Sequence, residues 1–273
     1  MKSIQNILIV GYGFVGKAAH HIFTGSQGDA AFKINIIDPA LNLQSDVDPA
    51  SCEAIFICVP SPQAIDGHCN DSIVISVVEK YAGLNVPVIV RSTIPPSSIE
   101  KLLKIIPDIV YLPEFLREKN WEHDAINPPT VLIGTTSGQM SNRVHALLMS
   151  SRMNLKNANT VKRVHPVEAS LFKYAANTFL AVKVVYMHEL NRFMHESDYH
   201  MFWDSLKDTM QHDDRFGSSH FNAPGDHGYG YGGTCFPKDM NAFAKEGKGK
   251  LSLIESAITS NAHLQTTIPH VHK

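Results

Sequence analysis

The chain has little of what would staple it, charge it or anchor it. Cysteine occurs four times, as Cys52, Cys58, Cys69 and Cys235, and no two stand as C-x-x-C. That spacing argues against a zinc site, and a chain of 273 residues can bury a core without disulfides. Cys52 and Cys58 flank an apolar run and read as packing residues. No sign of charge dominates: the formal net charge is −2, which argues against a general nucleic-acid or membrane-surface binder. Long apolar runs are missing as well. Residues 4–16 are apolar but broken by glycine, with no small-residue cleavage site after them, and nothing approaches the ~20 residues of a membrane span. The 15 histidines are scattered without an H-E-x-x-H or similar spacing, so no metal is expected. The expectation is a soluble, reducing, cytoplasmic protein with neither nucleic acid nor membrane as a partner.

What is present is an ordinary globular balance, 44% apolar and 18% charged. Short β-branched runs at 4–10, 33–37, 54–59, 86–91, 109–112 and 130–133 read as buried strands, and segments 17–24, 73–81 and 99–106 read as helices between them. Such alternation predicts a parallel sheet wound on both faces. From 166 to about 197 the strand signal stops. Leu171, Phe172, Ala175, Ala176, Phe179, Leu180, Val184, Met187 and Leu190 recur at helical spacing. A helix of ~30 residues would be ~45 Å long, suited to connecting two domains or packing on a second subunit. Residues 198–216 read as helical, 217–234 as an ordered loop, and 236–245 and 252–263 as closing helices.

Gly11-Tyr12-Gly13-Phe14-Val15-Gly16 follows the first strand and opens a helix. In that context the first glycine allows the tight turn, the second lets backbone approach a pyrophosphate, and the third lets helix and strand pack closely. Asp38 ends the second strand, 22 residues past Gly16, where a carboxylate accepts from ribose hydroxyls and repels an extra phosphate. The pattern predicts a Rossmann unit that takes NAD as its cofactor.

A second informative segment is Gly230-Tyr231-Gly232-Gly233-Thr234-Cys235-Phe236-Pro237-Lys238-Asp239. Pro237 and Asp239 suit a first helical turn, which puts Cys235 at a helix N-terminus beside Lys238, a setting that favours a thiolate. On these residues alone, a packing thiol and a nucleophile are both open. Lys173 and Asn177 stand i, i+4 on the long helix: an oxyanion-binding pair, or a solvated stripe. Glu114 and Glu118 also stand i, i+4, after the strand at 109–112 and at the sheet edge where ligands of open α/β sheets bind, and Thr93 ends the preceding strand on that edge.

Taken together, GYGFVG (11–16), VPSP (59–62), STIPP (92–96), PEFLRE (113–118), EASLFKYAANTF (168–179), DDRFG (213–217) and GYGGTCFPKD (230–239) resemble the UDP-glucose/GDP-mannose dehydrogenase family over nearly the whole chain. The resemblance implies oxidation of a nucleotide sugar's C6 alcohol to the uronic acid, with two NAD reduced. It implies that Cys235 adds to the aldehyde, that Lys173 and Asn177 stabilise oxyanions, that Asp239 positions water, and that Glu114 with Thr93 assists thioester hydrolysis. It places the cofactor on Gly11, Tyr12, Gly13, Phe14, Val15, Gly16, Asp38, Val59, Pro60, Ser92, Thr93 and Glu118. It places the substrate on Glu114, Phe115, Leu116, Lys173, Asn177, Gly232 and Gly233, with Arg215 reaching a sugar across a homodimer built on the long helix. The expected fold is α/β: a Rossmann-like doubly wound parallel sheet (1–163), then a long connecting helix and a small helical domain (164–273). The family's third, nucleotide-sugar-binding domain is expected to be absent from the chain, and a separate chain could supply it. A Lys-x-x-x-Asn pair and this length also suit 3-hydroxyacid dehydrogenases, but those lack a cysteine loop like that at 235. An NAD-binding protein without turnover is the third alternative.

Overall fold

The computed structural model describes residues 4–25, 31–155 and 160–267. Strands β1 (Ile4–Val10), β2 (Ala31–Ile37), β3 (Cys52–Ile57), β4 (Val88–Val90), β5 (Val110–Tyr111), β6 (Thr130–Gly134) and β7 (Thr160–Val164) form one sheet in the order β2-β1-β3-β4-β5-β6-β7. Ile7, Leu8, Ile9, Ala54, Ile55, Phe56 and Ile57 are wholly buried, as a central strand covered on both faces requires. The pairings are parallel except β5 with β6, which run antiparallel through Tyr111 and Gly134. The α/β, Rossmann-like expectation therefore holds, with a mixed sheet in place of a purely parallel one. Strand direction leaves no mark on a short apolar run, so the reversal was not visible in sequence.

Helices α1 (Phe14–Phe23), α2 (Ser72–Glu79), α3 (Pro96–Ile105), α4 (Trp121–Ile126) and α5 (Gly138–Met149) accompany the sheet. Of these, α4 and α5 went unread, as did β7. For α5 the signals were present: Ser137 accepts the Met140 N–H at 3.2 Å as an N-cap. Met140, Val144, Leu147 and Leu148 then form its buried face.

The chain forms two compact units. The first holds residues 1–62 and 70–173, the second 63–69 and 174–273. The first is built around the sheet, with Ile7, Ile9, Phe56, Ile89, Val110, Ile133 and Val144 in one apolar cluster. The second contains most of α6 (Pro166–His195), with α7 (Trp203–Gln211), α8 (Phe236–Glu246) and α9 (Ser252–Thr267). The boundary between the units falls inside α6, after Lys173. One core of the second unit joins Ala181, Val185, Tyr231, Met240 and Leu264, and another joins Met187, Met194, Trp203, Met210 and Phe221. The helix expected over 198–216 is confined to α7 and a 3-10 turn at His200–Phe202. Beyond it the backbone is taken up by Lys183, whose Nζ donates to the carbonyls of Phe216 (2.9 Å) and Ser219 and lies 3.8 Å from the Phe221 ring centroid. No helix among the described residues is long and apolar enough to cross a membrane.

Two glycines fix the geometry at the head of the sheet. Gly11 has φ +90°, and a Cβ there would lie 2.6 Å from the Cys58 carbonyl oxygen. A Cβ on Gly16 would lie 2.1 Å from the Gly11 carbonyl oxygen, whereas one on Gly13 would meet nothing within 4 Å. Gly16→Ala is therefore expected to lose about 1–3 kcal/mol of stability through overpacking, while Gly13→Ala stays within about 1 kcal/mol of the parent. Urea midpoints of the two variants check this, and equal midpoints would contradict the packing account.

Candidate active site

At the end of β1 the chain turns at Gly11 and enters α1, whose N-cap Gly13 has no side-chain cap. The first-turn N–H groups are thus left for a ligand. Beside them, Asp38 closes β2. Its Oδ2 accepts the Tyr12 N–H at 2.6 Å, and its Oδ1 accepts the N–H groups of Ala40 (3.0 Å) and Leu41 (3.3 Å). The carboxylate is therefore locked in place beside the glycine turn. Tyr12 bonds His20 Nδ1 through its hydroxyl at 2.5 Å, Phe14 packs edge-on against Trp121, and Val15 packs on the sheet core. Beyond the ends of β3 and β4, Ser92 Oγ donates to the Val59 carbonyl at 2.6 Å and Ser61 Oγ to the Thr93 carbonyl at 2.7 Å. Pro60 is exposed in the same turn. The side chain of Glu118 lies outside the described residues. An uncapped helix start, open space over Gly13 and a fixed carboxylate fit a dinucleotide.

Glu114, just past β5, is 6% exposed. Its Oε1 takes the Lys173 ammonium at 3.1 Å, its backbone carbonyl takes the same ammonium at 2.6 Å, and its Oε2 takes the Leu116 N–H at 2.8 Å. Burial alone would raise this carboxyl. Lys173, the Leu116 N–H and the nearby Arg91 outweigh it and hold the group below the usual carboxylate range. Lys173 also lies 5.3 Å from the Phe115 ring centroid, and Phe115 meets Phe172 edge-on. Leu116, together with Arg91 and Glu114, lines a cavity of about 30 Å³. Arg91 is a participant that sequence reading missed. It is 7% exposed, and its Nε has no partner among the described residues.

In the second unit Cys235 is the N-cap of α8 and is exposed. One turn on, Asp239 is 1% exposed, and its two oxygens are divided between Lys238 Nζ (2.7 Å) and Asn177 Nδ2 (2.6 Å). Lys238, three residues after Cys235, pairs its ammonium with Asp239. His227 packs against Gly232, where a Cβ would lie 2.8 Å from its ring, while Gly233 is exposed. Arg215 is exposed and folded onto Asp213, its Nε 2.9 Å from Oδ1. Cys52 and Cys58 are buried. Burial pushes Cys58 up to about 12 and raises Cys52 as well, in keeping with packing. Among the described residues no group of three His, Cys, Asp or Glu side chains is placed to hold a metal.

Residues 27–150 match the NAD binding domain of the UDP-glucose/GDP-mannose dehydrogenase family, and residues 167–263 match that family's central domain. The chain belongs to this family. UDP-glucose 6-dehydrogenase YwqF of Bacillus subtilis is 27% identical over 97% of this chain and 67% of its own length. A UDP-glucose dehydrogenase structure from Pyrobaculum islandicum superposes with TM-score 0.77 at 20% identity, covering 96% of this chain and 69% of that one. A UDP-D-ManNAc dehydrogenase from Pyrococcus horikoshii gives 0.73 at 20%, with 95% and 69% covered. At that identity the structures establish the fold alone. The chain spans from 49% to 67% of the length of the first curated relatives it matches.

The dehydrogenase-family glutamate makes a testable contribution to stability. Its folded pKa is depressed, so its contribution is full above the unfolded value of 4.5 and is lost as pH falls through the folded value. Thermal melts should show the parent losing stability below about pH 4.5, with Glu114→Gln flatter across that window. Lys173→Met, which leaves the carboxylate buried beside Arg91 alone, should cost about 3–5 kcal/mol at neutral pH. A neutral outcome for Lys173→Met would deny the pair its structural role.

Proposed function

We propose that the chain oxidises the C6 alcohol of a nucleotide sugar, UDP-glucose or a close relative, in two steps to the uronic acid. The observation that carries this reading is the α8 start: an exposed thiol, Cys235, one turn from a buried carboxylate fixed by Lys238 and Asn177. NAD, when bound, supplies the hydride acceptor. The glycine turn and the α1 N-terminus hold its pyrophosphate, and Asp38 holds its adenine ribose. Val59, Pro60, Ser92, Thr93 and Glu118 complete the cofactor contacts.

The first oxidation takes the alcohol to the aldehyde, with loss of a hydride and a proton. The Cys235 sulfur then bonds the aldehyde carbon, giving a thiohemiacetal. Loss of a second hydride and the hydroxyl proton gives a thioester, and water cleaves it to the carboxylate and the free thiol. Asn177 and Lys173 supply donors for the oxygen anions. Asp239, whose oxygens are already oriented, positions water for proton transfer. Glu114, held ionised by its neighbours, takes a proton from the hydrolytic water, a step that Thr93 assists. Phe115, Leu116, Gly232 and Gly233 contact the sugar. The two structural relatives are named for different nucleotide sugars, so the fold does not choose among them.

The chain acts as a homodimer in this reading. Phe179, Tyr186 and Phe193, seven residues apart on α6, are 66%, 55% and 57% exposed. Three large rings at heptad spacing form an apolar stripe of the kind a second helix covers. The exposed Arg215 would leave Asp213 to reach a partner's sugar. Any uridine-binding contribution from further sequence or a separate chain belongs to the same proposal.

The purified protein, given NAD and a panel of UDP- and GDP-sugars, is expected to form two NADH per sugar, and Cys235→Ser to complete no second oxidation. NAD binding with no turnover on any sugar would overturn the catalytic reading, and full two-step turnover by Cys235→Ser would overturn the thioester. Sedimentation velocity should show a dimer that Tyr186→Arg shifts to monomer. A parent that sediments as a monomer throughout removes the α6 interface.

A further inference from the structure

His188 lies on α6, 1% exposed, and both ring nitrogens are engaged by the loop that precedes the cysteine segment. The Gly230 N–H donates to Nδ1 at 2.7 Å, and Nε2 lies 2.8 Å from the Asn222 carbonyl. A backbone N–H only donates and a carbonyl only accepts, so the ring must accept at Nδ1 and donate from Nε2. That describes one species, the neutral Nε2–H imidazole. A proton on Nδ1 would set two donors face to face at 2.7 Å.

The pin at Gly230 continues through the next residues. The Tyr229 hydroxyl donates to Asn191 Oδ1 (2.7 Å), one turn along α6 from His188, and its ring meets the His188 ring at 5.6 Å. The Tyr231 N–H donates to Asn261 Oδ1 (2.6 Å), while Asn261 and Gln265 of α9 donate to the Tyr231 carbonyl (3.2 and 2.9 Å). Four residues beyond Tyr231 stands Cys235. The titratable group in contact with the ring is Tyr229, whose phenol burial pushes up, so it stays neutral. Asp226 and His227 stand on the loop, and Lys183, Tyr186, Glu189 and Arg192 are the titratable groups within five residues of His188 on α6. No ion pair to His188 occurs among the described residues, so no charge compensates a proton there.

We propose that His188 is a positioning residue for the cysteine-bearing segment: as the neutral imidazole it fastens both ends of loop 222–230, and its protonation releases that loop and the glycine run leading to Cys235. The role assigned to the segment rests on the nucleotide-sugar reading; the release itself does not. The direction is set by burial, which lowers the ring below its usual 6.5, with the Asn222 bond opposing. A depressed folded value means the clamp is fully stable above 6.5 and weakens as pH falls toward the folded value.

Hydrogen exchange of the full chain tests this without reference to turnover. Corrected for intrinsic rates, exchange across 228–235 should accelerate by up to about tenfold per pH unit as pH falls from 6.5 to the folded value, and level off below it. His188→Gln keeps an acceptor and a donor but cannot protonate, and should hold the segment with no such acceleration. Protection unchanged with pH in the parent, or the same acceleration in His188→Gln, would overturn the proposal. If His188→Gln does not fold, ¹⁵N imidazole spectra of the parent decide. The Nε2–H tautomer at neutral pH, titrating together with the Gly230 amide, supports the clamp; an Nδ1–H tautomer refutes it. Because exchange and tautomer are read without substrate, a chain with no dehydrogenase activity leaves this test standing.

Discussion

Helix α6 buries polar side chains, and each must find a partner or cost free energy. Ser170 donates to the Ile94 carbonyl at 2.8 Å, Lys173 to Glu114, Asn177 to Asp239, and Lys183 to the carbonyls of Phe216 and Ser219. His188 takes the Gly230 N–H, and Asn191 takes the Tyr229 hydroxyl. Most of these partners lie in segments without regular structure, which have no ladder of their own. The helix therefore does for those loops what a neighbouring strand does for a strand. Within each unit it supplies fixed donors and acceptors to the segments packed on it.

Electrostatics follow from the same burial. Glu114 stays ionised although almost sealed from water, because Lys173 and Arg91 bring two cations to one carboxylate. Asp239 is more deeply buried and is satisfied by one cation and one amide. The two carboxylates are thus held by different means, and truncating a partner of either strands a charge in a poorly solvated place. Cys235, by contrast, is exposed at a helix start. The thiol proposed as nucleophile thus has the access such a role requires.

The parts legible in the sequence were those whose physics is local. The glycine turn and Asp38 are set by backbone sterics and a strand's length, and Cys235 to Asp239 spans one helical turn. The long helix announced itself by thirty residues of 3.6-fold pattern without a breaker. What escaped reading depended on distant partners. Arg91 and His188 look in sequence like any surface cation or scattered histidine, and only burial separates them. The pairing of the Lys238 ammonium with the buried Asp239 was equally hidden, because nothing in the sequence marks that carboxylate as buried. The reversal at β6 escaped because alternation and hydrophobicity are blind to strand direction.

Asp38 has a consequence beyond its place at the end of β2. Three backbone N–H groups hold its two oxygens before any ligand arrives. A surface aspartate that first orders on contact gives up rotamer freedom at that moment, and the loss subtracts from affinity. Here the ordering was completed when the chain folded. Three of the roughly four lone-pair directions of a carboxylate are spoken for, so a visiting hydroxyl finds one remaining direction, already aimed. On the proposed ribose assignment the glycine turn gains a stereochemical gauge as well as a negative charge: a diol that presents its hydroxyl from the right side would be accepted, and one that does not would meet an acceptor unable to turn toward it.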